Sequence, residues 1–158
     1  MAKIHVKKNI NGDKVEFLAD PRETLLDCLR DHIGLTGSKE GCGTGDCGAC
    51  SCVFDGDLVS SCLVLGVEAE GKSIETIEGM AGEKELHPLQ KKFIEMAALQ
   101  CGFCTPGLMC SLSVALTRDD MCSDSGLDAV IDGHLCRCTG YVNIRRAAKK
   151  AAKNFQGD

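Results

Sequence analysis

Cysteine spacing constrains this chain more than any other feature. In GCGTGDCGAC, residues 41–50, three cysteines and four glycines occupy ten positions of a loop, and the chain carries twelve cysteines in all. A disulfide staple, a zinc site and an iron–sulfur cluster all use crowded thiols. The amino-terminal MAKIHVKKNINGDKVEF has no apolar export segment, and no apolar run approaches the roughly 18 residues of a membrane span. The chain therefore reads as cytoplasmic, a compartment that keeps thiols reduced. Structural disulfides are set aside and metal becomes the default. A formal net charge of −5 argues against a nucleic-acid partner.

The sequence divides into two differently built halves. In residues 3–18, Ile4 and Val6 and then Val15 and Phe17 alternate around Asn11-Gly12, a strong signal for a tight hairpin. RETLLDCLRDHI, residues 22–33, sets Leu25, Leu26, Leu29 and Ile33 at helical spacing after Pro21. Beyond the glycine–cysteine loop, a second hairpin turns at Asp55-Gly56, and SIETI, 73–77, reads as a closing strand. This is an α+β pattern, a small mixed sheet with its helix on one side. From about residue 80 the strand signals stop. Pro88 opens one helix. Thr105-Pro106 reads as a cap and first position of a second, Ser125 as the cap of a third ended by Gly133. Ile144, Ala147, Ala148, Ala151, Ala152 and Phe155 form the apolar stripe of a fourth. Four short helices suggest a bundle, joined to the first half near GMAGEKE, 79–85.

Each half carries its own cysteine group. Cys42, Cys47 and Cys50 are spaced C-x4-C-x2-C, with Cys62 after eleven more residues, which is the plant-type [2Fe–2S] spacing. The glycines suit that chemistry, because a negatively charged cluster needs backbone N–H groups brought close to its sulfurs. Zinc more often takes CxxC knuckles. The second group is Cys101 and Cys104, then Cys136 and Cys138 after 31 residues. Spacing alone leaves zinc and iron–sulfur both open here, while a thioredoxin-like CxxC lacks its βαβ context. Cys104 and Cys138 are each read as lying just before a helix start, whose positive end would stabilise thiolates.

QCGFCTPG at 100–107 and LCRCTGY at 135–141, preceded by GCGTGDCGAC, closely resemble the iron–sulfur subunit of molybdenum hydroxylases, the xanthine dehydrogenase and aldehyde oxidoreductase group. The resemblance covers nearly the whole chain, with the three motifs in the family's order. It implies a β-grasp, plant-type ferredoxin-like domain over 1–78 and a four-helix bundle over 79–158, each with one [2Fe–2S] cluster. It also implies that Cys101, Cys104, Cys136 and Cys138 bind the cluster nearer the molybdenum cofactor, replacing the zinc reading, and that Gln100 contacts the molybdopterin. The implied function is an electron-transfer subunit with no catalytic centre of its own. It would relay electrons from a molybdopterin-binding large subunit to FAD on a medium subunit or to another acceptor. The competing reading is a free-standing two-cluster ferredoxin-like carrier, which would have no use for a pterin contact.

The remaining candidates have plainer expectations. Cys28, Cys52 and Cys110 read as small packing residues, and Cys122 as an exposed loop thiol. His5, His32, His87 and His134 show no ligand-like grouping and read as surface or capping residues. Arg145, Arg146, Lys149, Lys150 and Lys153 read as a solvated helix face.

Overall fold

The computed structural model describes residues 2–82 and 84–155; Met1, Glu83 and residues 156–158, which fall within the expected domain ranges and linker, lie outside the described residues. The first half is built on a hairpin of β1 (Ile4–Ile10) and β2 (Asp13–Ala19). Asn11 at φ 54 and Gly12 at φ 92 supply the two left-handed positions of its turn, so Ile10 pairs with Asp13 across it. Helix α1 (Leu25–Asp27) continues directly as a wider π turn over Cys28–His32, so the helical segment is shorter than the 22–33 expected. Thr24 caps it, its hydroxyl accepting from Asp27 N–H while the Asp27 carboxylate accepts from Thr24 N–H. A second hairpin joins β3 (Ser51–Phe54) to β4 (Asp57–Ser60) through Asp55-Gly56, and β5 (Ser73–Glu75) ends before Thr76, short of the expected 77.

The five strands form one mixed sheet in the order β2-β1-β5-β3-β4. β5 lies parallel to β1 and antiparallel to β3, stitching the two hairpins together. Val6, Ile10, Phe17, Ala19 and Ile74 point to one face and pack with Leu25, Cys28 and Leu29. Lys8 shares that inward face, its ammonium 4.5 Å from the centre of the Phe17 ring, and burial lowers its pKa to about 8.

The second half consists of α2 (Pro88–Glu95), α3 (Thr105–Leu116), α4 (Asp124–Asp132) and α5 (Val142–Phe155) around one apolar core. Leu89, Phe93, Leu108, Leu112, Leu127, Ile131 and Ile144 fill it, and the α5 alanines let that helix approach closely. Several local expectations shift. Cys104, not Thr105, occupies the cap position of α3, and Pro106 is its second helical residue. Ser123 caps α4, its hydroxyl accepting from Gly126 N–H, because the chain from Met121 enters the helix two residues earlier than Ser125. Cys122 is buried in the helical core. The basic run is half absorbed by α4: Arg145 pairs with Asp128 and Asp132, and Lys149 with Asp128 and Asp124.

The halves share a face where α3 lies against β3. Arg118 and Asp57 form an ion pair across it at 2.7 Å. No described helix is long and apolar enough to cross a membrane.

Candidate metal centres

The first cysteine group gathers where the sheet leaves α1 and returns as β3. Two features of the loop require glycine. Gly48 turns at φ +72 with its Cα against a histidine ring, and a Cβ on Gly41 would stand 2.7 Å from Cys47 Sγ. Freed of those side chains, the backbone aims Thr44 N–H and Asp46 N–H at Cys42 Sγ, at 3.4 and 3.3 Å. The interactions of Thr44, side chain first and then backbone, hold the Cys42 thiol down at about 6. Cys47 is in hydrogen-bonding contact with Cys42. The turn after β4 delivers Cys62, whose sulfur lies 3.3 Å from that of Cys50. Burial, and then the Cys50 neighbour, push Cys62 up to about 11.

The second group gathers in the helical half. Cys101 precedes α3, Cys104 caps it, and Cys136 and Cys138 lie in the connection from α4 to α5. Their sulfurs meet in two pairs, Cys101 with Cys138 and Cys104 with Cys136. Burial first, and the Cys136 sulfur second, raise Cys104 to about 12. For Cys136 burial acts upward, yet the Thr139 hydroxyl and N–H outweigh it and the thiol ends below its ordinary value. Cys138 is not at a helix start as expected, since α5 begins only at Val142. The intervening turn is instead held by Tyr141 at φ 66, whose hydroxyl accepts from Cys136 N–H at 2.7 Å and donates to His134 O at 3.1 Å.

In each place the sulfurs meet as two pairs, some already receiving N–H groups, and such a set of four thiols suits a [2Fe–2S] cluster. A bound metal holds such thiols deprotonated, so the high values of Cys62 and Cys104 describe the metal-free protein only. Burial alone does not separate ligand from packing thiol: Cys52 and Cys110, pushed up to about 12, and Cys28, to about 11, are buried as deeply as Cys104 but lie outside both groups. Cys28 does lie near Glu23 and His32. There His32 Nε2 pairs with Glu23 at 3.0 Å, and the Lys8 ammonium beside Cys28 disfavours another cation. Gln100 is exposed, immediately before the exposed Cys101.

His134 differs most from its expectation as a surface or capping residue. It is only 4 % exposed. Its Nδ1–H donates to Val130 O at 3.0 Å, its Nε2 lies 3.0 Å from the oxygen of the Ser111 hydroxyl, which itself donates to Gly107 O, and burial lowers its pKa below the ordinary value. Next to it, Leu135 N–H donates to Cys47 O at 3.0 Å, linking one cysteine loop to the other. Thr139, Tyr141, Ser111 and His134 were not anticipated as site residues. Thr139 and Tyr141 stand within the CRCTGY motif itself, whereas no spacing rule marks Ser111 or His134.

Two family sequence profiles match the chain. A "2Fe-2S iron-sulfur cluster binding domain" covers residues 8–76 and a "[2Fe-2S] binding domain" covers 76–149. Caffeine dehydrogenase subunit gamma of Pseudomonas sp. (strain CBB1) is 48 % identical over 150 residues, covering 93 % of this chain and 90 % of the relative. The nicotinate dehydrogenase small FeS subunit of Eubacterium barkeri is 40 % identical, covering 97 % and 98 %. Among solved structures, a chain of quinoline 2-oxidoreductase from Pseudomonas putida 86 superposes with a TM-score of 0.93 at 40 % identity, covering 99 % of this chain and 98 % of that one.

Proposed function

From the premise that this chain belongs to the small [2Fe–2S] subunits of the molybdenum hydroxylase family, the xanthine dehydrogenase and aldehyde oxidoreductase group, we propose an assignment of its parts. Cys42, Cys47, Cys50 and Cys62 hold one cluster, and Cys101, Cys104, Cys136 and Cys138 hold the other. The observation that carries this is the gathering of two separate sets of four sulfurs, each within its own matched [2Fe–2S] region. The crossing of α1 between two hairpins and the parallel β1–β5 pairing support a β-grasp reading of residues 1–78. Four helices around one core support a four-helix bundle over 79–158.

The chain is the electron-transfer part of an oxidoreductase complex. Each cluster supplies a one-electron redox centre, so the chain relays electrons between a molybdenum cofactor on a large subunit and FAD on a medium subunit or another acceptor. Its own residues aim hydrogen bonds at the ligand sulfurs, from Thr44 and Asp46 in one loop and Thr139 in the other, and these tune the potentials. Phe103 and Leu135, 45 % and 65 % exposed, form an apolar rim around Cys101 and Cys138 that supports docking of the molybdopterin-binding subunit there. Gln100, exposed immediately before Cys101, offers an amide donor and acceptor to a pterin edge. Leu63, 60 % exposed beside Cys62, supports a second contact, toward the FAD-binding subunit. Eight thiols kept available for metal support a cytoplasmic location. A free-standing carrier would gain nothing from the apolar rim.

The test is purification of the tagged chain from its source cells. Molybdenum and FAD should co-purify in near-equal amounts with the chain. Gln100→Ala should lower molybdenum retention or turnover by roughly fivefold, the worth of about one hydrogen bond. Recovery of the chain alone, with neither cofactor, would favour the free carrier.

A further inference from the structure

Between the two cysteine groups lies a contact with almost no free space. A Cβ on Gly107 would stand 2.1 Å from Gly48 O, and a Cβ on Gly48 would stand 2.5 Å from His134 Cδ2. The Gly48 turn of the first loop therefore rests on backbone at α3 and on the face of the His134 ring. That ring cannot swivel freely, because Val130 O at the end of α4 and Ser111 Oγ on α3 hold its two nitrogens. Ser111 Oγ also lies 2.9 Å from Gly107 O, so the anchor and the point of contact belong to one turn of α3. The residue after His134 donates to Cys47 O, and the next is Cys136. One side chain of the second loop thus touches the first.

We propose that His134 is a positioning residue that sets the spacing between the two clusters, its anchored ring serving as the rest for the Gly48 turn and keeping the Leu135–Cys47 hydrogen bond closed. This rests on the reading that the two cysteine groups hold clusters. The ring suits the task better than an apolar side chain of similar size, which would fill the volume but have no polar anchors to fix its direction. Rotameric freedom at this point would become variation in cluster separation, on which magnetic interaction and electron tunnelling both depend steeply.

The test uses the iron-loaded protein in its complex. Two quantities are read: the spin–spin splitting between the two reduced clusters by EPR, and hydrogen exchange at the Leu135 amide by mass spectrometry. In His134→Ala, iron content and both signals should persist while the splitting shrinks. Exchange at Leu135 should rise roughly tenfold, equivalent to about 1.4 kcal/mol. His134→Asn, which keeps a donor and an acceptor on a shorter side chain, should recover part of both. Gly107→Ala drives a Cβ against Gly48 O and should also reduce the splitting. Unchanged splitting and exchange in His134→Ala, with both clusters present, would overturn the proposal. Should His134→Ala not accumulate in loaded form, Gly107→Ala decides, and unchanged splitting there overturns it equally. Failure of the ligand reading is separate: it would show as missing iron in the wild type.

Discussion

Cys42 and Cys104 stand at opposite ends of thiol chemistry within one chain. Cys42 is held at about 6 by Thr44 and by backbone N–H groups, while burial drives Cys104 to about 12. Bound iron equalises them by supplying positive charge at the sulfurs, so the difference is visible only without metal. In the iron-free protein, alkylation of Cys42 should follow a pH curve with its midpoint near 6, and Cys104 should stay unreactive through neutral pH. A Cys42 midpoint near the ordinary thiol value would mean that the loop opens when metal is absent. Since a lowered thiol pKa favours the folded state only when ionised, its stabilisation is complete above about pH 9 and fades as pH falls toward 6. Most of the candidate site was legible at this scale. Spacing marked Cys42, Cys47, Cys50 and Cys62 as one group, the family resemblance joined Cys101, Cys104, Cys136 and Cys138 as the other, and in each group the sulfurs meet in pairs. His134 and Ser111 were not legible, because the contact that defines them joins residues 23 positions apart and leaves no local pattern.

The hairpins were the most readable elements, since Asn11-Gly12 and Asp55-Gly56 carry their turn geometry within two residues. Helix starts were less so. Ser125 and Ser123 are equally good caps by composition, and only the approach of the chain from the Met121 turn selects Ser123. Cys122 was read as exposed because its neighbours are polar, yet the α3–α4 turn folds it into the helical core. The core of the second half offers a sharp contrast on one helix. Phe93 is fully buried and Ile94, its neighbour, is 60 % exposed. Phe93→Ala should cost about 3–5 kcal/mol in urea unfolding of the iron-loaded protein, as expected of a cavity left by a core aromatic. Ile94→Ala should cost at most about 0.5 kcal/mol. Equal losses would show that α2 packs on its other face.

Across the whole molecule, the parallel β1–β5 pairing and the α3–β3 contact join segments far apart in sequence, which is why neither was foreseen from local patterns. Together they bring the two cysteine loops back to back, with Leu135 N–H on Cys47 O between them. Each sulfur set also reaches the surface, the first at Cys42 and Cys62, the second at Cys101 and Cys138. An electron carrier needs its redox centres within reach of the surface, and both sets meet that requirement. The most direct measurement is EPR with iron analysis of the dithionite-reduced protein, wild type beside Cys47→Ser, Cys104→Ser and Cys52→Ser. The wild type should hold about four iron atoms per chain and show two distinct [2Fe–2S] signals. Cys47→Ser should disturb one signal, Cys104→Ser the other, and Cys52→Ser neither. A fully loaded wild type with about two iron atoms and one signal, or loss of a signal in Cys52→Ser while Cys47→Ser retains both, would contradict the two-cluster relay.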